Sequence, residues 1–517
     1  MTNARPESPT AAVIGQRSEL AFDVVVVGGG SAGCALAARI SEDPARSVCL
    51  IEAGPDYGPY LDSRWPAEML DARSVPGSHD WGYAGAGNLR SARVIGGCSA
   101  LNGCLVAWGA PADYDAWAAA GAAGWSFADL EPYLCRAEAR LRSRPLCDQE
   151  IGPWHRGVSE AAEEAGLPEL ADFNDPNSGV GVAFAPVNVV GAVRWSTAFA
   201  YLDPARERRN LTVLDRALVD RLRVRGERAA ALVARRAGRE LALAGDVIVL
   251  AAGAYGSPAI LLRSGIGPEK HLRQLNIPVE TALPGVGAHL VDHCGVGVFF
   301  EPNDQLLAAI RHHDQRGQFF HVLCALKAKS ESCRSDAWDL HLVPWASPVD
   351  QGGYEVHISV FAMHPEATGR VRLRSADPET TPLVEQGFLS DLPGRDLSVI
   401  ADGVRLVRHL ADTPPIRKLV TKETVPGPST KDDAMSRFIQ EEVVGYSHPV
   451  GTCKMGRSND PSVVVDSSGR VHGYENLFVA DASIMPSIPG ANTNLTVVAA
   501  AERIAERIRE RREISTD

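Results

Sequence analysis

A chain of 517 residues is too long for one ordinary hydrophobic core, so two closely joined domains are expected. Its 45% hydrophobic and 22% charged residues are those of a globular protein and exclude a disordered or fibrous one. A formal net charge of −12 at pH 7 argues against a nucleic-acid binder and gives no reason for attraction to anionic lipid.

Residues 1–20 are polar, with no basic stretch leading into an apolar one, and read as a flexible segment, neither signal peptide nor membrane span. Residues 22–27 form an unbroken valine-rich run, the pattern of a buried parallel strand. A glycine turn follows, then the Ala/Leu-rich residues 34–40 with helical propensity, then a second apolar strand at 47–51 ending in Glu52. Residues 56–93 are loop-like, and so long an irregular stretch is usually functional. Short β-type runs at 212–214, 218–224, 230–235 and 241–244 suggest a meander leading into a strong strand at 247–252. The most apolar segment, 247–262, is broken by Gly253, Gly256, Ser257 and Pro258 and cannot cross a bilayer as one helix. Residues 301–445 carry no nucleotide signature; 354–361 alternate loosely, as a strand of another sheet would. His312 and His313 have no partner at ligand spacing and read as a solvated loop. Residues 477–480 again read as a buried strand, 494–508 have helical periodicity, and the charged last residues are expected to fray. The ten cysteines include no CxxC pair, which fits reduced thiols in the cytoplasm better than disulfides or a metal site.

Gly28-x-Gly30-x-x-Gly33 follows a strand and opens a helix, with Glu52 at the end of the next strand. In such a unit Gly28 permits the turn, Gly30 lets a pyrophosphate reach the backbone, and Gly33 lets helix and strand pack closely. The helix N-terminus attracts phosphate, and Glu52 accepts from ribose hydroxyls. The same stretch, residues 29–33, also fits GxSxG with Ser31 as an α/β-hydrolase nucleophile; an elbow sits deep in a sheet, whereas only one strand precedes Ser31.

NAD and FAD share this turn, and two further segments choose between them. Residues 92–102 carry Gly96-Gly97-Cys98-Ser99 flanked by small polar residues, and residues 253–267 read GAYGSPAILLRSGIG. With the Rossmann turn they resemble the signatures of the glucose–methanol–choline (GMC) oxidoreductase family, and the likeness runs from residue 23 to about 508. The Gly-Gly-Cys-Ser segment is most similar to the choline oxidase and choline dehydrogenase-like branch, with aryl-alcohol oxidases close by. The resemblance implies an α/β fold: a Rossmann-type FAD-binding domain with an interleaved α+β substrate domain built on an antiparallel sheet. The FAD-binding parts would be 21–155, 196–297 and 445–517, and the substrate parts 156–195 and 298–444.

The same resemblance implies that FAD lies against Gly28, Gly30, Ser31, Ala32 and Gly33, with Glu52 and Ala53 beyond. Arg93, Gly97, Ser99, Asn102, Gly103, Cys104 and Leu105 would follow it, with Trp81 and the Val219 backbone near the flavin nucleotide. Ser447, Asp481, Ala482 and Thr493 would complete its contacts, Asp481 doubling as a helix N-cap. The motif at 447–456 resembles the family's catalytic histidine segment, which makes His448 the base, and the closing motif at 490–494 makes Asn492 the second catalytic residue. His448 would take the hydroxyl proton while the α-carbon delivers hydride to flavin N5, with Asn492 orienting the oxygen. Two departures matter. The histidine that bonds covalently to flavin in choline oxidases matches Leu101, which implies non-covalent FAD. The glutamate that holds the trimethylammonium group matches Gly295, which points to a neutral primary alcohol oxidised to an aldehyde, with further oxidation through the gem-diol open. Either O₂ or a quinone or other redox carrier fits as acceptor, with oxidases the nearer resemblance. The alternatives are the Ser31 hydrolase and a non-redox flavin-binding protein.

Overall fold

The computed structural model describes residues 20–514, apart from 88, 318, 324–325, 335–336 and 350–351. The expected flexible start and fraying end therefore fall almost wholly outside the described residues.

The chain opens with β1 (Leu20–Val27), whose last four valines are at most 2% exposed. They are buried on both faces because β1 is central and parallel, the setting that a continuous valine run suits. After the glycine turn comes α1 (Ser31–Ile40), then β2 (Val48–Ile51), which pairs parallel with β1. Further along, α2 (Pro111–Ala119) precedes β3 (Leu211–Leu214), β4 (Ala217–Arg225), β5 (Arg228–Arg236), β6 (Arg239–Leu250) and α3 (Gly253–Arg263). The seven-stranded sheet runs β3-β2-β1-β6-β5-β4, with Leu477–Val479 also on β6.

The runs expected at 241–244 and 247–252 are one strand, β6. Gly245 and Asp246 interrupt the apolar pattern because β6 changes partner there: residues 239–244 pair antiparallel with β5, and 248–250 pair parallel with 477–479. Asn476 fills the switch, accepting from Ala229 N at 2.9 Å and donating to Ala229 O at 3.0 Å.

A second seven-stranded sheet is antiparallel throughout. Its centre is β7 (Cys294–Pro302), β8 (Leu340–Val349) and β9 (Gly353–Ala362), in the order β7-β9-β8. Val420–Val425 flanks β7, while Leu326–Ala328 and then Gly181–Val182 flank β8. Helix α4 (Arg395–Ala411) lies on this sheet, and Gly403 leaves room for Val360 of β9. His312 and His313 are not in a loop: they sit on the helix Asp304–Asp314, His312 exposed and His313 half-buried with its Nε2 2.6 Å from the Gln149 carbonyl. Asn303 caps that helix by accepting from Leu306 N, and Leu306 and Ile310 anchor it, a buried stripe too sparse to read from sequence.

At the edge of the second sheet, 291–295 runs antiparallel to 444–450, which brings the loop carrying His448 onto the start of β7. Val291 and Val450 exchange N–H···O bonds of 3.1 and 2.9 Å, Cys294 pairs with Gly445, and Tyr446 N donates to His293 O at 2.8 Å. The last helix, α5 (Asn494–Ile514), starts two residues after Asn492 and packs on α1. No helix among the described residues is long and apolar enough to cross a membrane.

Candidate active site

A cavity of about 920 Å³ extends from the β1–α1 turn to the inner face of the second sheet, within the range of cofactor pockets. Both catalytic candidates and most expected cofactor residues line it, from Gly28, Gly30, Ser31 and Ala32 to Ser447, Asp481, Ala482 and Thr493. Glu52, Ala53, Trp81, Gly97, Asn102, Gly103, Leu105 and Val219 line it as well.

Four expected contacts lie behind the wall and support it instead. A Cβ on Gly33 would collide with the Gly28 carbonyl, so this glycine serves helix–strand packing. Ser99 is buried, donating to Gly96 O at 2.6 Å and accepting from Thr197 N at 2.9 Å. Cys104 is buried beside the Arg194 guanidinium, 3.5 Å away. Arg93 stacks over Trp81 at 4.7 Å and lines a separate surface groove.

The turn fits a dinucleotide. Gly28 has φ +101°, and its missing Cβ would sit 2.5 Å from Ala251 O. Gly30 is different: a Cβ there meets only Gly97 Cα, at 3.8 Å, so the space above its backbone belongs to the cavity. Gly30 caps α1 without a side-chain bond, leaving the first-turn N–H groups and the helix dipole for an anion. Glu52 accepts from Gly29 N and Gly54 N, each at 2.7 Å, which fixes the carboxylate at the cavity wall with lone pairs to spare for ribose hydroxyls. Burial pushes Glu52 up to about 6, opposed by those backbone donors and by Arg93. Asp481 caps the short helix Ala482–Ile484 through Ser483 N and also takes Gly253 N at 2.9 Å.

At the other end His448 is held on three sides. Its backbone N donates to Asp292 Oδ1 (2.8 Å), its Nδ1 meets His293 Nδ1 (2.9 Å), and its Nε2 meets Asn492 Nδ2 (3.2 Å). His293 Nε2 lies 3.1 Å from the Pro489 carbonyl, which can only accept. His293 therefore carries its proton on Nε2, because burial, and then the neighbouring His448, drives its basicity well below 6.5 and keeps it neutral. Its bare Nδ1 must accept, so the proton of His448 sits on Nδ1. That leaves His448 Nε2 as the unprotonated nitrogen, an acceptor toward which Asn492 Nδ2 donates. Burial alone lowers His448 to about 3, so the ring is neutral over the working pH range.

The ring of His448 packs 4.3 Å from Tyr446, which stacks on Phe361 at 3.9 Å and 4° between planes. Asp292 Oδ2 and Asn492 Oδ1 are buried without a protein partner. His293 is the residue that sequence reasoning passes over: its partner lies 155 residues away and only β-pairing joins them.

A Rossmann-type turn and a neutral histidine–asparagine pair at opposite ends of one cavity define a flavin-dependent oxidoreductase of two domains. GMC oxidoreductase models match residues 22–295 and 365–501, and the chain belongs to that family as an FAD-dependent alcohol oxidoreductase. Choline oxidase of Arthrobacter globiformis is 34% identical, covering 96% of this chain and 95% of its own. Oxygen-dependent choline dehydrogenase 1 of Chromohalobacter salexigens is 32% identical, covering 95% of each chain. The solved structure of pyridoxine 4-oxidase from Mesorbium loti is similar at TM-score 0.84 and 28% identity, covering 94% of this chain and 99% of its own. This family leaves the Ser31 hydrolase reading without support; Ser31 opens α1 in the dinucleotide cradle.

Proposed function

We propose that the protein oxidises a neutral, aromatic primary alcohol to its aldehyde, with His448 as the base and O₂ as the final acceptor. The observation that carries this is the fixed tautomer of His448, whose unprotonated Nε2 faces the cavity beside Asn492. Gly28, Gly30, Glu52, Asn102, Asp481 and Thr493 would hold FAD, a reading supported by the open space above Gly30 and the uncapped α1 N-terminus. Bound there, FAD supplies the two-electron acceptor for the hydride leaving the alcohol α-carbon.

His448 Nε2 takes the hydroxyl proton as the C–H bond breaks. The Asn492 amide fixes the oxygen, keeping the hydroxyl aimed at Nε2. Once protonated, His448 keeps its Nδ1–H on His293 Nδ1, so the new charge is shared along a hydrogen bond rather than left bare in a dry site. The Tyr446–Phe361 stack and the parallel Trp345–His357 pair (5.5 Å, 14°) offer flat walls for an aromatic ring.

Neutrality rests on two features. The acids lining the cavity are Glu52 and Asp481, both at the dinucleotide end. At Gly295 a Cβ would run into the Val360 carbonyl of β9, so the strand has no room for a cation-binding carboxylate. We read the FAD as non-covalent because Leu101, in the cavity wall, has no nucleophilic atom to attach it. A cytoplasmic location is supported by the nine described cysteines, all free thiols. O₂ is favoured because the relatives are, by name, an oxidase, an oxygen-dependent dehydrogenase and another oxidase.

The test is an anaerobic alcohol panel read by loss of flavin absorbance, repeated in air with peroxide detection. Benzylic and pyridine-methanol substrates should bleach the flavin, with choline at least about 10²-fold less efficient, the scale set by an unpaired cation in an apolar pocket. Efficient reduction by choline would contradict the neutral-substrate reading.

A further inference from the structure

We infer that Asp113 and His364, an ion pair brought together from opposite domains, position the peptide that presents Asn492. The inference rests on the role given to Asn492 above. Asp113 lies in the first turn of α2, and His364 follows β9 on the second sheet. They meet at 2.8 Å, His364 Nε2 on Asp113 Oδ1, while Asp113 Oδ2 accepts from Gly490 N at 2.8 Å and from Ala110 N at 2.9 Å. Trp338 Nε1 donates to the Gly490 carbonyl at 2.7 Å, and His293 to the Pro489 carbonyl at 3.1 Å.

The 489–490 peptide is thus gripped at both C=O and N–H, and the next at its C=O, by side chains from both domains, two residues before the catalytic amide. The fit is close: a Cβ on Gly490 would lie 3.0 Å from His364 Cε1 and 3.3 Å from Trp338 Nε1. Burial opposes charge on His364, and Asp113 more than offsets it, raising His364 above 6.5. Asp339 adds to that rise, while Arg395 opposes it. Both Asp113 oxygens face donors, His364 Nε2 on Oδ1 and Gly490 N and Ala110 N on Oδ2, so the side chain accepts three bonds.

The experiment compares His364→Leu, His364→Gln and Asp113→Asn in the FAD-loaded enzyme, alone and combined with Asn492→Ala. His364→Leu and Asp113→Asn should slow limiting flavin reduction about 10²-fold with little change in alcohol affinity, the cost of displacing a catalytic group by about 1 Å. Gln, which can still donate to Asp113, should restore most of the rate. On the Asn492→Ala background neither change should cost more than about twofold, because the group they place is gone. Independently of FAD, peptide 486–493 should exchange its amide hydrogens faster in His364→Leu and in Asp113→Asn. Wild-type reduction rates in both variants, or losses that multiply fully with Asn492→Ala, would overturn the inference. A wild-type enzyme that no alcohol reduces would instead overturn the function on which it rests, so the two failures are distinct.

Discussion

Asp292 and His293 are neighbours in sequence and hold His448 from two sides, one by its backbone and one by its ring. Replacing His293 by Leu removes the acceptor that selects the Nδ1–H tautomer. Flavin reduction should fall by about 10² or more, as when other catalytic histidines lose their tautomer partner. His293→Gln offers a carbonyl to His448 and an amide N–H to Pro489 and should recover much of that loss in rapid-mixing kinetics. Equal rates in the Leu and Gln variants would count against the tautomer chain. Asp292 gives a pH signature. Burial raises its carboxyl from 3.8 to about 8, against the pull of backbone donors. Between those values the unfolded chain is ionised and the folded one protonated, so folding takes up a proton and stability falls as pH rises, by about 1.4 kcal/mol per unit. Asp292→Asn keeps the acceptor for His448 N and removes that loss. In flavin-free protein its thermal midpoint should match wild type near pH 4, rise above it as pH climbs to 8, and hold that lead beyond.

At the scale of elements, the β1–α1–β2 unit was readable because its signals are local: an unbroken valine run, three glycines at fixed offsets and an acid at the next strand end. Its chemistry separates the glycines. Gly30→Ala places a methyl in open cavity, so the flavin-free protein should unfold at the wild-type temperature while FAD affinity drops roughly 10- to 100-fold, the cost of over-packing a close contact. Gly33→Ala drives a methyl into the Gly28 carbonyl and should instead lower the unfolding temperature itself. Fluorescence titration with FAD, beside a thermal melt, separates the two. The join between 291–295 and 444–450 left no local trace, because β-pairing across so many residues is set by tertiary packing. The helix carrying His312 and His313 was missed for a related reason, its short apolar stripe being outweighed by charge.

For the molecule as a whole, the family motifs lie in the stretches that build the glycine-turn end of the cavity and the loop carrying His448, and those were legible. The middle of the chain, which supplies β7, β8, β9 and the aromatic cavity walls, carries only alternating patterns that many sheets share. His364 and Asp113 stand 251 residues apart, and nothing in either segment announces the other. The clasp of two domains around one cavity is what brings an unprotonated imidazole nitrogen to face a cradle built for FAD. The most direct measurement of that claim is anaerobic rapid-mixing reduction of the wild-type and His448→Ala enzymes by a benzylic alcohol. The account predicts loss of flavin absorbance in the wild type and a rate lower by about 10²- to 10⁴-fold in the variant, with FAD content unchanged. Reduction of both at the same rate would contradict it.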